Sequence, residues 1–155
     1  MDMLMALALS IGVLIALWVK VGPMLFGSLA IAVPAGIVAW ACFFAAGGKT
    51  TGLTKTIAAN VSGVIWVWLA MAVMGAMSMG NLAFVFVGIV AFILVLQSKI
   101  AILSFIPGAF CGAAITAASG ASDIKGYAMV AVAMIVGAAL GYVSEMAGGM
   151  LAKKA

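Results

Sequence analysis

Side chains that could carry out acid–base, nucleophilic or metal chemistry are scarce in this sequence. The 155 residues include no histidine and only three carboxylates, which are Asp2, Asp123 and Glu145. Histidine is the commonest general acid or base and the commonest metal ligand. Ser104 has no base near it in sequence, and a serine nucleophile needs such a base within reach. We therefore expect that the protein is not an enzyme and that it binds no metal ion or cofactor.

The overall composition points to a membrane protein. Hydrophobic residues make up 68% of the chain and charged residues only 6%, and the mean hydropathy is +1.43. A soluble domain is about half apolar and about a quarter charged. So few charges are sufficient only if most of the surface faces lipid, so we expect one transmembrane domain over residues 1–155 with the bilayer as its partner. The seven lysines are too dispersed to form the basic patch that nucleic-acid binding requires.

Polar and glycine-rich segments divide the chain into six apolar runs. A membrane-spanning helix needs about 20 residues, so the length suits six transmembrane helices with short loops. The runs cover residues 3–19, 21–46, 56–77, 82–96, 100–118 and 126–150. Five spans, with one proline-containing run re-entering the membrane, are the alternative.

The two halves of the chain share a layout. Pro34 and Pro107 lie 73 residues apart, and a loop glycine follows each of them 13 residues later. The order of span, proline-broken span, glycine loop and span occurs over residues 1–79 and again over residues 80–155. Three spans per repeat place the second copy upside down in the membrane, as in many transporter folds. We therefore predict an all-α membrane protein of two inverted three-helix repeats, whose middle helices are broken by proline; chance similarity between glycine- and alanine-rich segments is the alternative.

The lysines predict an orientation. With six spans, one side of the membrane carries Lys49, Lys55, Lys99, Lys153 and Lys154, whereas the other carries only Lys20 and Lys125. Because basic residues accumulate in cytoplasmic loops, we expect both termini in the cytoplasm and the protein in the bacterial inner membrane.

The two prolines are the first candidates for a solute pathway. Proline cannot donate a backbone hydrogen bond, so Pro34 deprives the carbonyl of Ala30 of its partner, and Pro107 does the same to Leu103. Broken backbone at membrane depth must be buried in protein or line a wet cavity. Two matched breaks therefore point to a transport site near the midplane, with simple kinks packed by neighbouring helices as the alternative.

Polar side chains within the apolar runs complete the predicted pathway. They are Asn60, Ser62, Gln97, Ser104, Thr116 and Glu145. The polar side chains of the third and fourth runs could line a pore or hydrogen-bond to another helix. Glu145 shares a helix face with a stripe of small residues, so we expect it to point into protein. It either pairs with Lys99 near the cytoplasmic end or takes part in solute or proton passage.

Small residues predict where helices approach one another. Gly108 and Gly112 form a G-x-x-x-G pattern, and Gly137 and Gly141 recur at the same spacing in the sixth run. Such residues let helix backbones pack closely. We expect a homo-oligomer with small-residue faces at its contacts, since closed cyclic assemblies are the commonest.

One stretch resembles a known family. The sequence GIVAFILVLQSKIAILSFIPGAFCGAAITAASG, at residues 88–120, resembles the most distinctive segment of the YcdZ-like bacterial inner-membrane proteins, domain of unknown function number 1097. SGVIWVW at residues 62–68 also fits this family. The resemblance implies a small multi-span inner-membrane protein, but no activity, because the family's label declares none.

The residues favour a channel or facilitator for a small uncharged or weakly charged solute. An ion-coupled pump usually needs titratable groups within the membrane, and this chain has almost none. A non-transporting subunit that stabilises a larger membrane complex is the alternative. The surroundings of Pro34 and Pro107 distinguish the two hypotheses, because a pathway requires a polar cavity there and a scaffold requires tight apolar packing.

Overall fold

The chain is all-helical, as the sequence predicts. The computed structural model describes residues 2–27, 29–78 and 80–153. Its six helices are α1 (Met3–Phe26), α2 (Ala32–Ala45), α3 (Lys49–Ala76), α4 (Ala83–Leu96), α5 (Ile106–Ala118) and α6 (Ile124–Lys153). Short 3₁₀ turns lie at Gly80–Leu82, Gln97–Lys99 and Ala101–Leu103. Met79, at the predicted boundary between the repeats, lies outside the described residues.

The six helices fall into two length classes. Three of them, α1, α3 and α6, contain 24, 28 and 30 residues and are long and apolar enough to cross a membrane. The other three contain 14, 14 and 13 residues. At 1.5 Å per residue each of these is only about 20 Å long, less than the roughly 30 Å of the hydrocarbon core. The structure therefore has six helices, but only three of them have the length of a full span.

Both prolines begin a helix instead of breaking one, which corrects the predicted kinks. Pro34 is the third residue of α2, and Pro107 is the second residue of α5. The first four N–H groups of a helix have no intrahelical acceptor, so proline loses nothing at these positions and its fixed φ favours the start of a helix. The breaks in the apolar runs precede the prolines, at residues 27–31 and 97–105.

Helix α1 is longer than the first apolar run. It continues past Lys20 and Pro23 to Phe26, so the predicted second run at residues 21–46 is divided between α1 and α2. Lys20 is exposed, and a lysine stem can follow the apolar surface while its ammonium group reaches the membrane interface. A single lysine therefore does not end the helix.

Helix α6 packs against α1, α2 and α3. The backbone of α2 approaches it at Gly36, which faces Gly137, and Phe43 of α2 packs over Gly141. This order of contacts makes α2 and α6 parallel. Helix α1 is antiparallel to α6, because Leu7 near the start of α1 lies against Gly148 near the end of α6.

A second helix pair has the same close packing. Gly63 of α3 faces the backbone of Ala109 in α5, and Gly112 of α5 faces the backbone of Asn60, so α3 and α5 are parallel. Only two side chains of α4, Val90 and Leu94, are buried, and they pack against this pair.

The helix ends group as the lysine distribution requires. The start of α3 meets the end of α6 where Gly48 contacts Glu145, and the start of α1 also lies against the end of α6. The opposite ends of α3 and α6 meet around Trp68 and Tyr127. Lys154 and the side chain of Lys153 lie outside the described part of the chain.

Candidate functional site

Three polar side chains join α4 to α3. The indole Nε1 of Trp66 donates to Gln97 Oε1 at 3.0 Å, and Gln97 Nε2 donates to Ser62 Oγ at 2.8 Å. Ser62 Oγ in turn donates to the carbonyl of Ala59 at 2.7 Å. Ser62 and Trp66 lie one turn apart on α3, and Gln97 directly follows α4. The two predicted pathway residues Ser62 and Gln97 are thus brought together, in an interhelical hydrogen-bond network.

Two other polar side chains of α3 are buried without a partner. Thr56 and Asn60 are both 0% exposed, and neither the Thr56 hydroxyl nor either polar atom of the Asn60 amide has a hydrogen-bond partner. They lie four residues apart and therefore on one face of the helix. Leaving a buried polar group unpaired costs about 1–3 kcal/mol, and native proteins usually pair such groups with protein or ordered water. Three unpaired atoms at one place are therefore the most unusual polar feature of the described structure.

The helix face that carries these residues is bounded by close backbone contacts. At one end Gly52 lies against the carbonyl oxygen of Phe43 in α2, and at the other end Gly63 lies against α5. Between them, α5 presents Gly112 to Asn60 and so contributes no side chain there.

Two cysteines lie where the short helices meet. Cys42 of α2 and Cys111 of α5 are neighbours, and both are free thiols. Each is adjacent in sequence to a residue that contacts the buried face of α3, because Phe43 follows Cys42 and Gly112 follows Cys111. The surroundings of Thr56 and Asn60 are therefore uncharged.

An open cavity of about 480 Å³ lies at the end of the bundle where α3 ends and α6 begins. We call it the vestibule. It is lined by Val67, Trp68, Met71, Ala72, Thr116, Ala117, Gly120, Ala121, Ser122, Asp123, Ile124 and Tyr127. Asp123 also accepts a hydrogen bond from Gly126 N–H at 2.8 Å and so caps the first turn of α6.

The vestibule and the buried polar pair lie along the same two helices. Thr116, which is 2% exposed, reaches the vestibule wall and donates to the carbonyl of Gly112 at 2.7 Å. Gly112 is the residue that packs on Asn60. One helical turn, about 5.4 Å, thus separates a residue of the vestibule wall from the layer that holds Asn60.

Glu145 lies at the start of α3. Its Oε2 accepts a hydrogen bond from the backbone N–H of Lys49 at 2.7 Å. The turn before α3 is left-handed, with φ of +64° at Gly48 and +56° at Lys49. A Cβ on residue 48 would lie 2.7 Å from Glu145 Oε1, so glycine is needed there both for space and for conformation. A carboxylate is favoured at this position because the helix N-terminus carries partial positive charge.

The prolines and Ser104 lie away from the buried polar pair. Pro34, Pro107 and Ser104 are all exposed on the surface of the chain. A pathway built on two facing proline breaks is therefore not what the described residues form, and the prolines face neither a polar cavity nor a tightly packed apolar interior.

Comparison with known proteins places the chain in a family. The family model described as "Protein of unknown function (DUF1097)" matches residues 8–149. This chain belongs to the DUF1097 family. It is 32% identical to Inner membrane protein YcdZ of Escherichia coli strain K12, over 99% of this chain and 91% of that protein. It is 30% identical to YcdZ of Salmonella typhimurium, over 99% of this chain and 92% of that protein.

A further relative supports the assignment. Uncharacterized protein YahC of Escherichia coli strain K12 is 30% identical over 76% of this chain and 73% of its own length. No solved structure matches the chain. The names of the YcdZ relatives, together with three helices of spanning length, support an inner-membrane location for this DUF1097 protein.

Sequence reasoning missed part of the polar pair and most of the vestibule in this DUF1097 protein. The spacing of Thr56 and Asn60, four residues apart in an apolar run, would have identified Thr56 as a partner of Asn60. No comparable signal marks Trp68, Asp123 or Tyr127, because the vestibule forms only when the ends of three helices meet.

Proposed function

We propose that this protein is a passive channel or facilitator for a small uncharged or weakly charged solute, and not an enzyme. The observation that carries the proposal is the unpaired Thr56–Asn60 pair, one helical turn beyond the wall of an open polar vestibule. Buried polar groups without protein partners are costly unless water or a ligand satisfies them. A solute that enters the vestibule would meet Thr116 and then Asn60.

The charge distribution favours a neutral solute. The two carboxylates of the described helices and loops near these sites, Asp123 and Glu145, lie at opposite ends of the bundle and cap the helices α6 and α3. The stretch of α3 from Thr56 to Ala76 contains no ionisable side chain. An ion would therefore lose its hydration at the polar pair without gaining a counter-charge, which is strongly unfavourable.

We also propose that the two halves are inverted repeats. Shifting the contact between Gly36 and Gly137 by 73 or 74 residues leads to Ala109 and Gly63, which form the equivalent close contact between α5 and α3. The parallel pair α2–α6 thus corresponds to the parallel pair α5–α3. Because α3 and α6 are antiparallel, the two units point in opposite directions across the membrane, as in other inverted repeats.

Liposome swelling tests transport directly. Liposomes that contain the protein are expected to swell faster than empty liposomes in at least one of urea, glycerol, ammonia and short carboxylic acids. The light scattering of matched vesicle preparations is followed after rapid mixing. Equal rates with and without protein for all these solutes would contradict the proposal.

A blocked vestibule provides the matched control. In Ser122→Cys the new thiol lies on the vestibule wall, whereas in Ser78→Cys it lies at the same end of the bundle outside that wall. A bulky membrane-impermeant thiol reagent is expected to slow swelling in the first variant only. The unmodified chain, treated with the same reagent, shows whether Cys42 and Cys111 contribute. Equal inhibition of both variants would mean that the vestibule is not the entrance.

A scaffold role is the second candidate, and the surface around α4 favours it. Helix α4 buries only Val90 and Leu94, and an apolar groove of about 260 Å³ runs between α3, α4 and α5. Such a surface suits packing against another membrane helix, including that of a second copy in a homo-oligomer. Purification in a mild detergent would support this role if the chain stays bound to a different membrane protein and liposomes of the isolated chain show no transport.

A further inference from the structure

We infer that Thr56 and Asn60 form a binding site for the smallest neutral amides, of which acetamide and urea are examples. This inference deepens the proposed function, because it assigns a solute class to the same region. It rests on three unpaired buried atoms: the Thr56 hydroxyl, the Asn60 amide nitrogen and the Asn60 carbonyl oxygen.

The unpaired atoms match both ends of an amide. Asn60 offers two N–H donors and one carbonyl acceptor, and the Thr56 hydroxyl can both donate and accept. A ligand that satisfies all of them must itself carry a donor and an acceptor. The carbonyl oxygen and the NH₂ group of a small amide supply both, and Thr56 lies about 6 Å from Asn60 along the helix axis, at 1.5 Å per residue.

The neighbours of the pair exclude charged ligands. The residues that bound this face of α3 are the Phe43 carbonyl and Gly112, and the nearby Cys42 and Cys111 are thiols. None of these groups supplies a counter-charge for an ammonium or a carboxylate ion. Burial of an unpaired ion is far more costly than burial of a neutral amide.

The close backbone contacts limit the size of the ligand. Gly52 lies against α2 and Gly63 lies against α5, so the face is closed one turn beyond each polar residue. Between these contacts α5 presents glycine to Asn60, which leaves the space beside the amide free of a side chain. Only a molecule that fits between two adjacent turns of α3 can bind.

The asparagine content of the chain allows a direct test. The sequence contains only two asparagines, Asn60 and Asn81. Asn60 is buried and Asn81 is exposed at the opposite end of α4. Selective ¹⁵N-asparagine labelling of the full chain in lipid nanodiscs therefore yields two side-chain amide signals, one at the site and one internal control.

Acetamide is expected to shift the Asn60 side-chain signals saturably and to leave those of Asn81 unchanged. Sodium acetate and methylammonium chloride, which are charged analogues, are expected to leave both unchanged. An Asn60 signal that does not respond to acetamide, or that responds equally to acetate, would overturn the inference.

A matched pair of threonine variants tests the second residue. Thr56→Val removes the buried hydroxyl and keeps the side-chain shape, whereas Thr54→Val changes an exposed threonine whose hydroxyl bonds to backbone carbonyls. Thr56→Val is expected to weaken acetamide binding roughly tenfold, the effect of losing one hydrogen bond of about 1.4 kcal/mol. Thr54→Val is expected to bind like the unchanged protein, and equal binding by both variants would remove Thr56 from the site.

The same preparations separate this inference from the proposed transport. Faster swelling without an Asn60 shift would retain the channel and reject the amide site. A saturable Asn60 shift without faster swelling in acetamide or urea would retain the site and reject transport.

Discussion

At the residue scale, buried polar side chains show which contacts hold the helices together. Ser10 donates to the carbonyl of Ser144 at 2.6 Å, and Trp40 donates to the hydroxyl of Ser144 at 3.1 Å. These bonds join α1 and α2 to α6. In an apolar environment such interhelical hydrogen bonds contribute modestly to stability but determine register. The unpaired Thr56 and Asn60 differ from them and are therefore the better candidates for function.

Replacing Gln97 tests the network between α3 and α4. Gln97→Leu leaves the Trp66 indole N–H without its acceptor, so we expect a loss of about 1–3 kcal/mol in unfolding free energy. The Trp66 indole N–H resonance is expected to move while that of Trp40, whose bond to Ser144 is intact, stays in place. Asn81→Leu, at an exposed position, is the control. An unchanged Trp66 resonance would mean that the bond to Gln97 does not form.

At the element scale, glycine determines how closely the helices approach. Gly137 and Gly63 lie at the two parallel crossings, where a Cβ would overlap the backbone of the facing helix. Other glycines in the same helices have open space around them, as Gly75 does in α3. The G-x-x-x-G pattern therefore predicts helix contact only where a partner helix is present.

Two alanine substitutions in α3 test this difference. Gly63→Ala would push against the backbone of Ala109 and Ala113, so we expect a loss of about 3 kcal/mol or more. Gly75→Ala is expected to stabilise the helix by up to about 1 kcal/mol, since alanine is the better helix former. Thermal unfolding in detergent measures both. Similar stability for the two variants would contradict the close crossing of α3 and α5.

Glu145 connects two elements, α6 and the start of α3. Glu145→Gln keeps an acceptor for Lys49 N–H but loses the charge at the helix N-terminus, and we expect a cost of about 0.5 kcal/mol. Glu145→Ala also loses the hydrogen bond, so about 1–3 kcal/mol is expected. Thermal unfolding compares the two variants. If Glu145→Gln keeps its stability but abolishes solute flux, the carboxylate serves in passage and not only as a cap.

At the scale of the whole molecule, the helix ends define two sides. The start of α3 and the end of α6 lie on one side, and the vestibule opens on the other. The lysines predict that the first side is cytoplasmic. The vestibule would then open outward.

Accessibility of single cysteines tests this orientation. Thr51→Cys lies exposed near the start of α3, and Ser122→Cys lies exposed at the vestibule. In intact cells, with the inner membrane accessible from outside, a membrane-impermeant maleimide is expected to label only the cysteine at position 122. In inverted vesicles it is expected to label only the cysteine at position 51. The reverse pattern would place the termini outside.

Much of this protein is determined by local properties of its sequence. Long apolar runs with few charges determine that it is helical and resides in a membrane, because the bilayer excludes unpaired backbone groups whatever the tertiary packing. Local signals also mark the glycine turn at residues 47–48 and the two loops, because backbone conformation there depends on neighbouring residues only. The shared spacing of Pro34 and Pro107 marks corresponding helices, although not their role.

Only the tertiary structure decided the roles of individual residues. Pro34 and Pro107 were expected to break helices and instead begin them, because the break is set by the packing of the preceding segments. Glu145 was considered a partner of Lys99, but it accepts a bond from Lys49, which is 96 residues away in sequence. Such contacts depend on which helix faces meet, and short-range patterns contain no information about residues that distant. For the same reason the vestibule and the buried Thr56–Asn60 pair emerge only when α3, α5 and α6 are packed together.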